Sequence, residues 1–187
     1  MITTKEFNLN QDIVNIQINL LLDFTHSLAY YRAINQDLPR VQRNAPFWIY
    51  TMNTHFFRAI TNWCIVFGAD NNEAHWKNVS ENDKEKIKSE IRPRILAAAN
   101  FTCDEWKSYH IKIKDFRNDY TAHKNVNPND DRVPSLNNAF EIAKSYFEWI
   151  RELLTIPNHK LKSLDIYFPE FQIEVLNVLA NDFRINY

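Results

Sequence analysis

Arg117, Asn118 and His123 are the residues of this chain whose types and spacing could do chemistry. Arginine is a permanent cation that matches phosphate oxygens in bidentate geometry. Histidine has an ordinary pKa that lets it serve as acid or base near neutrality. The asparagine amide both donates and accepts, so it can orient either neighbour. Such a set suits cleavage of RNA without a metal or cofactor, which needs a base for the 2′-hydroxyl proton, an acid for the leaving 5′-oxygen and positive charge on the phosphorane. Asp119, one turn before His123, reads either as a carboxylate that holds the imidazole or as an exposed acid on a helix.

These residues border an apolar seam of Trp106, Tyr109, Ile113, Phe116 and Tyr120, spaced 3-4-3-4, whose next position is His123. At about 100° per residue, Arg117 and His123 fall on opposite borders, roughly 120° apart. Two copies of the helix facing across a twofold axis would bring them together, as would an irregular last turn near Thr121. The plainer alternative makes His123 a boundary residue of an aromatic stripe and Arg117 an ion-pair partner of a neighbouring helix.

The order arginine, polar residue, four residues, histidine resembles the motif of the HEPN superfamily, carried here by Arg117, Asn118 and His123. Trp63, Phe67-Gly68 and His75-Trp76 also look like an abortive-infection branch of it. The resemblance implies a helical bundle, usually dimeric, and often a ribonuclease of toxin or phage-defence systems. Some relatives of this kind are non-catalytic. For this chain it implies a homodimer through the motif helix, an RNA substrate, and a possible antitoxin or nucleotidyltransferase partner.

Composition agrees with the helical expectation. The chain has 187 residues, 45% hydrophobic, with 13 Phe, 8 Tyr and 5 Trp, and a single glycine, Gly68. Hairpins and sandwich loops need more glycine than that, so the expectation is an all-α, up-and-down bundle of about five to six helices. One domain is expected over residues 1–187, with a core over about 10–155 and a helical extension over about 156–187. The net charge of −1 lacks the basic footprint of a general nucleic-acid binder, so any RNA contact must be local. Cys64 and Cys103 have neither metal nor disulfide spacing and read as buried or idle thiols. Without a signal pattern or a membrane-length apolar run, the protein is expected to be cytoplasmic and to make no membrane contact.

In chain order, Ile13, Ile16, Leu20, Phe24, Leu28, Tyr31 and Ile34 mark a first helix that ends at Pro39, with His26 on its boundary. The second runs from an Asn44 cap to Gly68, where left-handed geometry is expected, and shows Ile49, Asn53, Phe56, Ile60, Trp63 and Phe67 on one face. His55 falls off that face and reads as solvated. The polar stretch 70–76 holds Asp70, Glu73 and His75, which with His110 make a weaker candidate for a divalent metal. Ser80 and Asp83 precede a third helix that is broken or kinked near Ile91-Arg92 by Pro93. Its mixed charges read as a solvated face and its best chance of a locally basic surface. Thr102 caps the motif helix, which runs to about Lys124, and residues 125–134 form an exposed loop beside the motif. Ser135 caps the next helix, expected antiparallel to the motif helix, and Pro169 opens the last.

Overall fold

The computed structural model describes residues 7–40, 44–122, 133–156 and 160–184. Among these residues there are six α-helices and no strand: α1 (Gln11–Asp37), α2 (Ala45–Phe67), α3 (Lys84–Ala99), α4 (Cys103–Arg117), α5 (Asn137–Leu153) and α6 (Leu164–Arg184). None of them is long and apolar enough to cross a membrane. The all-α bundle expected from composition is the fold.

α1 is the spine of the bundle. Its Asn10 cap accepts hydrogen bonds from the Asp12 and Ile13 N–H groups at 3.1 and 3.2 Å, and α2 and α6 lie along it. The buried side runs through Val14, Gln17, Leu21, Phe24 and Leu28, whereas Ile16 is exposed. The face at the start of α1 is thus turned from the one the apolar residues alone predict, because Gln17 takes an interior place. α3 lies chiefly against α5 rather than α5 against α4. The tie between α4 and α5 is Tyr109, whose hydroxyl donates to the Ser135 carbonyl at 2.9 Å and accepts from the Ala139 N–H at 2.8 Å.

The last helix belongs to the bundle. Val175 and Leu179 of α6 bury against Ala33, Ile34 and Trp48 of α1 and α2. It begins at Leu164, five residues before Pro169, so the proline lies inside the helix instead of opening it. Pro93 likewise sits within an unbroken α3. Each proline withholds one N–H from the ladder, a loss that a helix pinned by packing on one side absorbs. In α5 the Ser135 hydroxyl accepts weakly from the Asn137 N–H, and the helix starts one residue later than expected.

Three local expectations are corrected. Gly68 ends α2 with φ −82° and ψ −104°, not left-handed. Glycine is needed there because a Cβ would lie 2.3 Å from the Cys64 carbonyl oxygen. The N-terminal half of α2 leaves Ile49 exposed and buries Trp48 instead, so the face expected from Ile49 becomes core only from Phe56 onward. His55 is not solvated: its ring lies 4.9 Å from that of Tyr30, its Nδ1 is buried without a hydrogen-bond partner among the described residues, and burial lowers its pKa.

Gln17 has no exposed surface. Its amide nitrogen donates to the carbonyls of Ala74 and His75, both at 3.1 Å, and its oxygen accepts from the Tyr146 hydroxyl at 2.6 Å. One side chain thereby joins α1, the 69–80 connection and α5. Replacing Gln17 by leucine strands the Ala74 carbonyl and the Tyr146 phenol, each costing about 1–3 kcal/mol when buried unpaired, while the His75 carbonyl keeps the Asn78 N–H at 2.8 Å. Gln17→Leu is expected to lower the unfolding free energy in urea by about 2 kcal/mol or more; a loss below about 0.5 kcal/mol contradicts this bracket.

Candidate functional site

α4 carries the motif and is fixed at both ends. At its start Thr102 and Glu105 cap one another: the Thr102 hydroxyl accepts from the Glu105 N–H at 3.3 Å, and the Glu105 carboxylate accepts from the Thr102 N–H at 2.7 Å. Its aromatic seam lies on α2. The ring centroids of Trp63 and Trp106 are 6.2 Å apart, those of Phe56 and Phe116 5.8 Å, and Phe57 stacks on Phe116 at 6.3 Å. Only Ile113 and Phe116 of the helix are fully buried. After Arg117 the helix widens into a π turn over Asn118–Ala122. Such turns interrupt the regular ladder and recur at functional sites.

Arg117 is half-buried and reaches back towards α2, where its guanidinium meets the Cys64 thiol. Burial pushes that thiol up to about 11, with Arg117 pulling in the opposite direction. The Arg117 Nε is shut from solvent and has no hydrogen-bond partner among the described residues. Asn118 is half-buried at the same end of α4, its N–H bonded to the carbonyls of Lys114 and Asp115. Arg117 and Asn118 are therefore adjacent at the mouth of the π turn. His123, and most of the loop expected beside the motif, lie outside the described residues.

The other flank of α4 faces α3 and the 69–78 segment across a cleft of about 270 Å³. His75 walls it. The ring is 1% exposed, its Nδ1 accepts from the Lys77 N–H at 3.3 Å and its Nε2 faces Asp70 at 3.4 Å. Desolvation lowers its pKa to about 4 despite the nearby carboxylate. His110 approaches from α4, with Nε2 donating to the Phe67 and Gly68 carbonyls at 2.7 and 3.0 Å, and burial lowers its pKa as well. That bonding fixes its tautomer and leaves Nδ1 as an acceptor. Asp70 bonds to Lys77, and its pKa is lowered: burial opposes the shift, and the Lys77 ammonium beside it prevails.

Asp70, His75 and His110, expected as a weak metal set, do share this cleft. Most of their donor atoms are spent otherwise, on Lys77, on the Lys77 N–H, on two carbonyls and on one another, which leaves only His110 Nδ1. Among the described residues no group of three or more His, Cys, Asp or Glu side chains is arranged to hold a metal ion.

A feature that the aromatic seam overshadows in the sequence is the run Lys107, His110, Lys114 and Arg117, spaced 3-4-3 along one side of α4. Its members act on common neighbours. Lys114 and Arg117 both bear on Cys64, and Lys114 also bears on His75 and His110. The spacing is the signal that would have found it: a second helical stripe, basic where the first is aromatic. Neither a family model, nor a curated protein, nor a solved structure matches the chain.

The burial of neutral His75 has a consequence in acid. Its pKa is about 4 in the fold against about 6.5 in an unfolded chain. The unfolded state therefore takes up the proton first, and stability is lost as pH falls from about 6.5 towards 4. The gap corresponds to roughly 3 kcal/mol. Urea unfolding at pH 7 and pH 4 is expected to show a larger acid loss in wild type than in His75→Gln by about that amount; equal losses contradict it.

Proposed function

We propose that this chain is a HEPN-like, metal-independent endoribonuclease of a toxin or phage-defence system. Arg117 binds and stabilises the scissile phosphate, Asn118 orients, and His123 carries the proton. The 2′-oxygen attacks the phosphorus as its proton passes to a base, the bond to the 5′-oxygen breaks as that oxygen is protonated, and the ends are a 2′,3′-cyclic phosphate and a 5′-hydroxyl. DNA, lacking the attacking hydroxyl, is not cut.

The observation that carries this reading is the state of Arg117. Its charge is held in place by packing on α2, beside a π turn, with one N–H unpaired, at the end of a helix whose flank is basic. A cation held in place beforehand needs little reorganisation during reaction. A homodimer through the motif helix would set two copies of the motif around one groove. An antitoxin or a nucleotidyltransferase is the partner that would silence it, and the cytoplasm is the compartment that holds its substrate.

A second reading has its own support. The Arg117 guanidinium meets Cys64, a contact that a purely structural arginine would also make. In that case the chain is a non-catalytic, dimeric binding module.

RNA incubated with the protein in excess chelator separates the two. The nuclease reading expects cyclic-phosphate ends and a loss of about 100-fold or more in Arg117→Ala and in His123→Ala. Clean wild-type protein that leaves structured and unstructured RNA intact favours the binding module instead.

A further inference from the structure

The cleft between α3, α4 and the 69–78 segment is separate from the motif, and its composition is uneven in an informative way. Its inner walls are apolar and aromatic, formed by Ile95, Leu96 and Trp106, while Arg92 and Lys107 stand at its mouth from opposite helices. The half-buried Trp106 ring lies 5.2 Å from His110, tilted by 36°, so the indole is already held in place by a second ring. His110 presents Nδ1 as an acceptor, its Nε2 being committed to two carbonyls. Pockets for small organic ligands have this form, with apolar walls and a few placed polar groups; at about 270 Å³ this one is slightly below the usual range of about 300–1,000 Å³.

The charges narrow the class of ligand. Lys77 is committed to Asp70, and its ammonium also lies over the Trp76 ring at 5.5 Å. Lys107 pairs with Asp104 at 2.9 Å on the open surface, a contact that solvent weakens. Arg92 takes part in none of the ion pairs among the described residues, although Lys86, Lys88 and Arg94 of the same helix each have an acid. Arg92 weakly repels Lys107, an influence smaller than the opposite pull of the Asp104 carboxylate on the same ammonium. An anion between them would relieve that repulsion, and a flat aromatic group behind it would meet Trp106.

We infer that this cleft binds one nucleotide unit, its base against Trp106 and its phosphate between Arg92 and Lys107. The ligand class is a nucleoside 5′-phosphate, either free or as part of single-stranded RNA. The placement of the phosphate follows from the two cations, and the placement of the base from the aromatic wall, since stacking tolerates any base. Where the nucleotide belongs to a strand, Lys107, His110, Lys114 and Arg117 lead from the cleft to the motif over about 15 Å of helix. The strand form rests on the RNA reading given above; the cleft's affinity for a nucleotide does not.

The test is calorimetric titration of the full chain with adenosine 5′-monophosphate, with a short oligoadenylate and with inorganic phosphate. Wild type, Arg92→Ala, Lys107→Ala and His123→Ala are compared. Arg92 and Lys107 are exposed, so both substitutions leave the fold intact, which matching thermal unfolding would verify. Nucleotide binding is expected in wild type and in His123→Ala alike, and about tenfold weaker in each of the other two. Tighter binding of the oligomer identifies a strand as the source, and equal or tighter binding of the monophosphate identifies a free nucleotide. Absence of binding by both, binding unchanged in Arg92→Ala and Lys107→Ala, or inorganic phosphate binding as tightly as the nucleotide would overturn the inference. Because His123→Ala should retain binding while losing cleavage, failure of the cleft and failure of the nuclease reading give different results.

Discussion

The bracket made by Gln17 is the interaction on which the rest of the molecule depends. The 69–80 connection contains little regular structure beyond a short 3-10 turn over Trp76–Asn78, and turn bonds to the Ala69, Asn72 and His75 carbonyls hold it only locally. Its Ala74 and His75 carbonyls find the Gln17 amide in the middle of the core, and the same side chain holds Tyr146 of α5. A buried polar group is costly unless fully paired, and here all three members are paired at once. The consequence reaches the surface. With Ala74 and His75 tied down, the His75 ring is held out of water and uncharged, and Trp76 is buried beside it. One side of the cleft is thereby rigid before any ligand arrives.

α4 supplies the other side and is held differently. It buries little of its own surface, relying on a two-way cap at its start and on aromatic contacts with Trp63, Phe56 and Phe57. A helix held in this way has one face committed and others open to partners. The seam fixes its rotation, which turns Lys107 and His110 towards the cleft and brings Arg117 to Cys64. Widening of the helix after Arg117 then separates the end that carries the motif from the regular turns before it. Seam, basic flank and π turn are three consequences of one short sequence.

Much of the architecture is legible in the chain because it rests on local rules. Thr102, Ser135 and the apolar spacing of α1 announce helices whose ends fall within a few residues of where they are read. Failures come from residues whose role is set at a distance. Gln17 looks like a polar interruption of a stripe, and nothing near it in sequence reveals that Ala74, His75 and Tyr146 wait for its amide. Gly68 suggests a left-handed cap, while its real constraint is the Cys64 carbonyl. Pro93 and Pro169 suggest ends, but packing along the helices outweighs one missing hydrogen bond. At the candidate site the motif was plain, whereas the cleft is assembled from α3, α4 and the 69–78 segment and needs the fold to be seen.

What unites these features is a single route across α4, from a rigid aromatic cleft along a basic flank to Arg117. Photo-crosslinking of a single-stranded RNA containing 4-thiouridine, with the modified peptides identified by mass spectrometry, tests that route most directly. The account predicts adducts at the Trp106 wall of the cleft and along Lys107 to Arg117. Adducts confined to the far side of the bundle, around Phe47 and Tyr50 of α2, would contradict it.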